Sequence, residues 1–228
     1  MHEPLRVAID GPAGAGKSTV ARALAGRLGL PYVDSGATYR AAALKVLESG
    51  VSPADSEAVI RLIDGAHIEF AASDTGWHVF VDHRDVTGLI RTPQVTLAAA
   101  QVSRLPEVRK KLVALQRSLA AARGVVMEGR DIGTVVFPDA PLKIFLEADP
   151  AERARRRLDQ DGGEGRRTSL AQTAGEIRLR DQLDAERKVS PLVPAADAVR
   201  IDSTHLSADE VVDRILHLAR ERNLIGKQ

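Results

Sequence analysis

Nine residues near the start of the chain have the types and spacing of a phosphate cradle: Gly11, Pro12, Ala13, Gly14, Ala15, Gly16, Lys17, Ser18 and Thr19. They follow the order G-x-x-x-x-G-K-S/T. Glycines let backbone N–H groups turn toward an anion, and a helix that starts at the last of them adds the positive end of its dipole. Lys17 can reach the β- and γ-phosphates of a nucleotide, and the Ser18 hydroxyl can face a Mg²⁺ ion. An apolar segment, residues 5–9, precedes the loop and predicts a strand. Val20, Ala23, Leu24 and Leu28 follow at helical spacing and predict a helix over 17–28.

Further polar groups recur down the chain. Asp34, Ser35 and Arg40 open a predicted helix over 37–48. Asp34 or Ser35 can cap it, which leaves Arg40 about one turn in. A capped helix with a surface arginine is the plain reading, and an anion site at that helix end is the other. Arg130 and Asp131 come directly after a predicted strand, 125–127, where open α/β sheets bind their ligands. They form a structural ion pair at a turn, or they offer donors and an acceptor to a polar ring or a phosphate. Arg153 and Arg157 share a helical face at i and i+4, and Arg178, Arg180 and Arg187 follow on the next helix. Basic runs are usually solvated faces. Beside a phosphate cradle, converging arginines can instead neutralise a migrating phosphoryl group.

No acid–base constellation stands out, and the six histidines are scattered without a partner at metal-ligand spacing. That suits an acceptor that is itself a phosphate. Its second pKa is about 6, so its oxygen is already ionised near neutrality. Positioning and charge neutralisation then carry the chemistry.

The elements that must position these residues alternate. Strands 5–9, 125–127, 142–146 and 199–201 are interleaved with helices 17–28, 37–48, 106–123, 151–157, 169–187 and 208–222. The pattern predicts an α/β fold, a parallel sheet with helices on both faces. Ser52-Pro53 reads as another helix start. Ser207 with Glu210 reads as a capping box. The alternation breaks at about 62–98, where 67–71 and 77–81 flank a turn-rich 73–76 and predict a β-hairpin in an inserted lobe. It breaks again at the glycine-rich stretch 159–165, a mobile flap between two helices or a passive surface loop.

Composition sets the outer bounds. A chain of 228 residues with 44% hydrophobic content can bury the core of one α/β domain with inserted lobes. A net charge of +1 gives no push toward nucleic acid or membrane, and 3% aromatic content leaves few stacking platforms for single strands. The absence of cysteine removes disulfides, thiolate nucleophiles and thiolate metal sites. No signal peptide and no membrane-spanning run are expected, so a cytoplasmic location is expected.

With these residues assembled, the chain resembles the bacterial cytidylate kinases, of the nucleoside monophosphate kinase group, from about residue 5 to 220. The segment 129–146 is the most specific part. The segments 34–40 and 180–184, with Arg187 and 190–197, add to it. The resemblance implies a P-loop kinase fold with a core of about 1–35, 105–152 and 170–228. It also implies a monophosphate-binding lobe of about 36–104 carrying the β-insert, and a short lid of about 153–169. It implies Mg²⁺-assisted, ATP-dependent phosphorylation of CMP and dCMP in pyrimidine metabolism, by a monomer that needs neither nucleic acid nor membrane. By the same resemblance, residues 11–19 with Arg153 and Arg157 hold ATP. Ser35, Tyr39, Arg40, Arg109, Arg130, Asp131, Arg180, Asp184 and Arg187 hold CMP. Arg109, Arg130 and Asp131 read the cytosine and anchor its phosphate, while Arg180 and Asp184 contact the sugar. Lys17, Arg157 and Arg187 act on the transferred group, and Ser18 holds Mg²⁺, with Asp34 contributing through water. One position departs: Ala100 stands where the family usually has a serine, and Thr96 and Ser103 are the neighbouring hydroxyls that could compensate.

Overall fold

The computed structural model describes residues 4–73, 76–120, 124–163, 168–187 and 189–226. In chain order they form β1 (Arg6–Asp10), α1 (Lys17–Leu28), β2 (Tyr32–Asp34), α2 (Ser35–Glu48), α3 (Ser56–Gly65), β3 (Ile68–Ser73), β4 (Gly76–Val81) and β5 (Arg84–Asp85). Then come α4 (Pro93–Val102), α5 (Pro106–Ser118), β6 (Val125–Gly129), one wide helical turn (Ile132–Val136), β7 (Leu142–Glu147), α6 (Pro150–Gly163), α7 (Leu170–Ala185), β8 (Val199–Asp202) and α8 (Ala208–Glu221).

Five strands make a parallel sheet in the order β2-β6-β1-β7-β8. Its central strands are near-continuous apolar runs, because helices cover both faces. Alternate residues face opposite sides. Val7 and Ile9 pack with Val126, Ile144 and Leu146 against Leu24 of α1 and Ile215 of α8. Ala8 and Met127 pack the other way, with Val33, Val113 of α5 and Ile132. α8 contributes Val211, Val212, Ile215, Leu216 and Ala219, all buried. Each large apolar side chain so buried stabilises the fold by about 1.5–3 kcal/mol before its entropy cost. A separate apolar cluster joins α2, α3, α4 and α5 to Ile68, Val79 and Val81 of the small antiparallel sheet β3-β4-β5. Among the described residues no helix is long and apolar enough to cross a membrane.

Several elements differ from the sequence expectation. The four expected strands are present, with ends shifted by one or two residues. β2 escaped because three residues are too few to show a period. The expected hairpin forms, with Ile68 opposite Val81 and Ser73 opposite Gly76; residues 74–75 of its turn lie outside the described residues. β5 adds a third strand. Within the expected β-insert, α4 begins at Pro93, with the Thr92 hydroxyl accepting the Val95 N–H at 3.2 Å. Its buried face, Val95, Ala98, Ala99 and Val102, has helical spacing that was visible in the sequence. The helix expected at Ser52-Pro53 starts later, at Ser56. Asp55 is its cap, accepting the Ala58 N–H at 3.0 Å, while Ser52 and Pro53 form the preceding turn. The helix expected over 106–123 ends at Ser118, and 121–123 lie outside the described residues. α6 runs on to Gly163, so the stretch expected as a loop or flap is helical over 159–163; its end, 164–165, lies outside the described residues.

Replacing Asp55 with alanine therefore removes a helix cap and lowers stability by about 0.5–2 kcal/mol in urea unfolding. Ser52→Ala, which touches only the turn, costs less.

Candidate active site

β1 and β6 pair in register from Arg6 opposite Val125 to Asp10 opposite Gly129, so both strands end at the same edge. The phosphate loop leaves that edge from β1. At Gly11, φ is 148° and a Cβ would stand 2.1 Å from the Leu146 carbonyl oxygen on β7. At Gly14, φ is 77° and a Cβ would stand 2.7 Å from the Arg153 carbonyl oxygen. Only glycine fits both places, and the loop lies flat against β7 and α6. Pro12, Ala13, Ala15 and Gly16 complete it, and Ser18 and Thr19 are exposed on the first turn of α1.

Lys17 is buried and donates to the Pro12 carbonyl at 2.7 Å. Burial, with the positive charges of Arg130 and Arg180, lowers its ammonium to about 7, against the opposing pull of Glu128 and Asp10. A lysine in that condition lacks an anion.

Ala13 is clamped by an ion pair between two helices. Arg153 donates to its carbonyl at 2.9 Å and pairs with Asp181, whose other oxygen accepts the Ala13 N–H at 3.0 Å. Arg153 also donates to the Ala148 carbonyl at 3.1 Å. Arg153 thus holds the loop's backbone from behind. Arg156 on the same helix donates to the Ser203 carbonyl at 2.7 Å, and the Ser203 hydroxyl reaches the Ala15 carbonyl at 3.2 Å.

The segment after β6 is fixed from β1. The Asp10 carboxylate accepts N–H bonds from Ile132 at 2.8 Å and Gly133 at 2.7 Å. Burial still raises its carboxyl to about 6, against those bonds. This tie sets Arg130 and Asp131 just beyond the strand. Asp131 pairs with Arg109, both almost fully buried. Arg109 also donates to Ser190 Oγ and to the Ser103 carbonyl, each at 3.2 Å, and its guanidinium stands 5.2 Å from the centre of the Tyr39 ring. Arg130 donates to Asp184 at 2.7 Å, and Arg187 pairs with the other Asp184 oxygen. Burial would raise the Asp184 carboxyl, but Arg130 and Arg187 outweigh it and hold it below the usual range. Asp34 pairs with Arg40 at 2.5 Å, and there too the arginine outweighs burial.

These arginines are not saturated. The buried Nε–H groups of Arg40 and Arg187 have no hydrogen-bond acceptor among the described residues. Arg180 has none among the described residues, and burial followed by Arg130 lowers its guanidinium to about 10. Buried donors left unpaired cost about 1–3 kcal/mol each. A phosphate, with its acceptor oxygens and negative charge, suits them.

The structure thus brings Lys17, Arg40, Arg130, Arg180, Asp184 and Arg187 to one edge, with Arg109, Asp131 and Tyr39 behind. Ser35 lies buried beside Gly129, where a Cβ would come within 2.5 Å of its hydroxyl. Arg157 donates to Gln160 at 3.2 Å on its own helix, and its charge is felt at Arg180. The hydroxyls near Ala100 both serve the backbone of α4: Ser103 donates to the Ala100 carbonyl at 3.1 Å, Thr96 to the Thr92 carbonyl at 3.0 Å. For a Mg²⁺ ion the chain offers oxygen donors, the exposed Ser18 hydroxyl and the Asp34 carboxylate, which is the chemistry that ion prefers.

Sequence reasoning missed Asp10, Asp181, Ser190 and Ser203. Asp10 had a signal, an acid at the end of an apolar strand; the others act through contacts distant in sequence. It was also mistaken on the histidines, since His67 and His83 do share a carboxylate partner, Glu69.

The chain matches the cytidylate kinase family over residues 7–221. It is 49% identical to a cytidylate kinase of Geobacillus sp. over 97% of this chain and 99% of that one. It is 50% identical to a cytidylate kinase of Pelotomaculum thermopropionicum over 95% and 96%. Among solved structures, a Thermus thermophilus protein shares the fold at a TM-score of 0.51 and 23% identity, covering 99% of this chain and 100% of that one. An uncharacterized protein from Eubacterium ventriosum does so at 0.53 and 14%, covering 96% and 99%. With relatives near half-identical along their whole length, and a family match that spans the loop and the arginines alike, the chain belongs to the cytidylate kinase family.

Proposed function

We propose that this chain transfers the γ-phosphoryl group of ATP to CMP, and to dCMP, giving the diphosphate and ADP. The observation that carries it is the cluster of unsaturated arginines facing the phosphate loop, close enough that Arg130 and Arg180 depress Lys17. One edge of the sheet therefore carries positive charge enough to face two phosphorylated molecules.

ATP lies with its phosphates in the loop formed by residues 11–19. Lys17 exchanges the Pro12 carbonyl for the β- and γ-phosphates. Ser18, with Asp34 through water, would hold Mg²⁺, which would supply charge neutralisation for the phosphates. The CMP phosphate is gripped by Arg40 and anchored by Arg109 and Arg130, with Arg180 beside the sugar and Arg187 near the transferred group. One of the CMP phosphate oxygens attacks the γ-phosphorus in line while the bond to the ADP oxygen breaks. No base is needed, since that oxygen is already ionised. Arg187 and Arg157 stabilise the charge spread over the migrating group, and Arg153 serves ATP through the loop backbone that it holds. Arg109, Arg130 and Asp131 read cytosine beside Ser35 and Tyr39, and Asp184 keeps lone pairs for the sugar hydroxyl.

We further propose that about 36–104 moves as a monophosphate lobe and about 153–169 as a lid on a core of about 1–35, 105–152 and 170–228. The lobe is organised around the apolar cluster of α2, α3 and α4, which also reaches α5 of the core through Val108 and Leu112. We place the enzyme in the cytoplasm as a monomer acting on dissolved nucleotides, without nucleic acid or membrane.

A panel of acceptors at fixed ATP tests the assignment. CDP forms fastest from CMP, while AMP and GMP are poor; a purine monophosphate that outperforms CMP overturns it.

Lys17 gives a second expectation. At about pH 8 it is mostly neutral in the free enzyme, because its ammonium is lowered to about 7. Phosphates restore the charged form. Binding of a non-hydrolysable MgATP analogue then takes up close to one proton at about pH 8 and far less at pH 6. Titration calorimetry in buffers of different ionisation enthalpy reads the difference, and Lys17→Met abolishes it.

The clamp on Ala13 gives a third. Asp181→Ala frees both the loop N–H and Arg153, and a displacement of about 1 Å costs roughly 100-fold in rate. kcat/KM for ATP falls by about 10- to 100-fold while KM for CMP stays close to normal. Asp181→Asn, which keeps an acceptor for the N–H, loses less.

A further inference from the structure

Away from the phosphate loop, three side chains converge on the small antiparallel sheet. His67 directly precedes β3, Glu69 lies two residues on and shares its sheet face, and His83 sits in the tight turn between β4 and β5. The Glu69 carboxylate serves both rings. Its Oε1 is 3.1 Å from His67 Nε2, and its Oε2 is 4.0 Å from His83 Nδ1. The rings meet edge-on, with centroids 5.0 Å apart. The three ligand atoms lie within 4.8 Å of one another, and no other group of this kind occurs among the described residues. His78 differs: it faces one carboxylate, Asp85, at 2.8 Å.

The backbone fixes this arrangement. The Asp82 N–H donates to the His67 carbonyl and the His67 N–H to Asp82 Oδ1, both at 2.8 Å. Lys45 takes the other Asp82 oxygen at 2.8 Å. Asp82 is thereby committed, and Glu69 is left as the available carboxylate. Asp82 and His83 take left-handed φ values of 49° and 67°, the geometry of a two-residue hairpin turn, and this turn brings His83 back beside His67. A cleft of about 660 Å³ adjoins the group, walled by Phe70, Phe80, Leu115 and Leu119.

We propose that His67, Glu69 and His83 bind one divalent transition-metal ion, Zn²⁺ foremost, with water completing its coordination. Two imidazoles and a carboxylate suit Zn²⁺, whereas Mg²⁺ prefers oxygen ligands alone. Tetrahedral ligands at about 2.0–2.2 Å from zinc stand roughly 3.3 Å from one another. His67 and Glu69 already meet that spacing. No pair of ligand atoms has to close by more than roughly 1.5 Å, which rotation of exposed side chains supplies. The bound ion ties the start of β3 to the β4–β5 turn. It stabilises the folded chain by mass action and takes no part in phosphoryl transfer.

The test uses the full chain, stripped with a chelator and returned to buffer with excess Mg²⁺. Zn²⁺ is titrated against a chromogenic chelator while the unfolding temperature is followed. One equivalent binds, and the unfolding temperature rises. His67→Gln, Glu69→Gln and His83→Asn each weaken binding by about 10- to 100-fold and remove the rise, with CMP phosphorylation unchanged. Asparagine is used at 83 because it tolerates left-handed φ. His78→Gln binds as the parent does. Failure to bind one equivalent, full binding by the three variants, or displacement by Mg²⁺ overturns the proposal.

Discussion

Positive charge confined in a small, partly buried volume governs this molecule. Two like charges about 4 Å apart repel by about 4 kcal/mol at an effective dielectric of 20. Arg40, Arg109, Arg130, Arg180, Arg187 and Lys17 gather near one sheet edge. The fold makes this tolerable by assigning carboxylates. Asp34 serves Arg40, Asp131 serves Arg109, and Asp184 is divided between Arg130 and Arg187. Arg180 and Lys17 receive no carboxylate hydrogen bond, and both are held below their ordinary pKa. The charge left over is what a phosphorylated ligand neutralises.

Everything else in the fold serves to hold that charge in place without a ligand. β1 and β6 end in register, so the loop after one and the Arg130-Asp131 step after the other emerge together. Asp10 fastens the second to the first through two backbone N–H groups. α7 carries Arg180, Asp181 and Asp184 within about one turn, and Arg187 follows just beyond its end. It grips the loop through Asp181 and the arginine cluster through Asp184. One rigid helix thus registers both halves of the site, which is how a chain keeps near-attack geometry with few covalent resources.

What the sequence made legible follows from this arrangement. The phosphate loop is contiguous, and its glycines answer to backbone geometry, so its spacing alone exposes it. Helices such as α1 and strands such as β7 were legible through periodicity. The ion pairs were not. Arg130 and Asp184 are 54 positions apart, and Ala13 and Asp181 are 168 apart. No local pattern reports such partners. Arg153 illustrates the limit, since the family resemblance placed it beside ATP but could not tell that its donors hold the Ala13 and Ala148 carbonyls. α4 was lost for another reason: a hairpin nearby extended the β reading over a segment whose own Thr-Pro start and apolar spacing were helical.

The same electrostatics couples the two substrate positions. Lys17 is depressed first by burial and next by Arg130. A monophosphate dianion near Arg130 and Arg180 offsets the part of the depression that those two arginines cause, while the larger part, from burial, stays. On the proposed binding mode, the monophosphate thereby shifts the lysine toward its charged form before the second nucleotide arrives. Linkage makes the effect reciprocal, so the nucleotide in the loop favours the monophosphate by the same factor. No movement of the backbone is required for this coupling, because it passes through the charge state of one buried ammonium. A site that repels its own cations when empty therefore gains most when both anions are present, the one state in which transfer occurs.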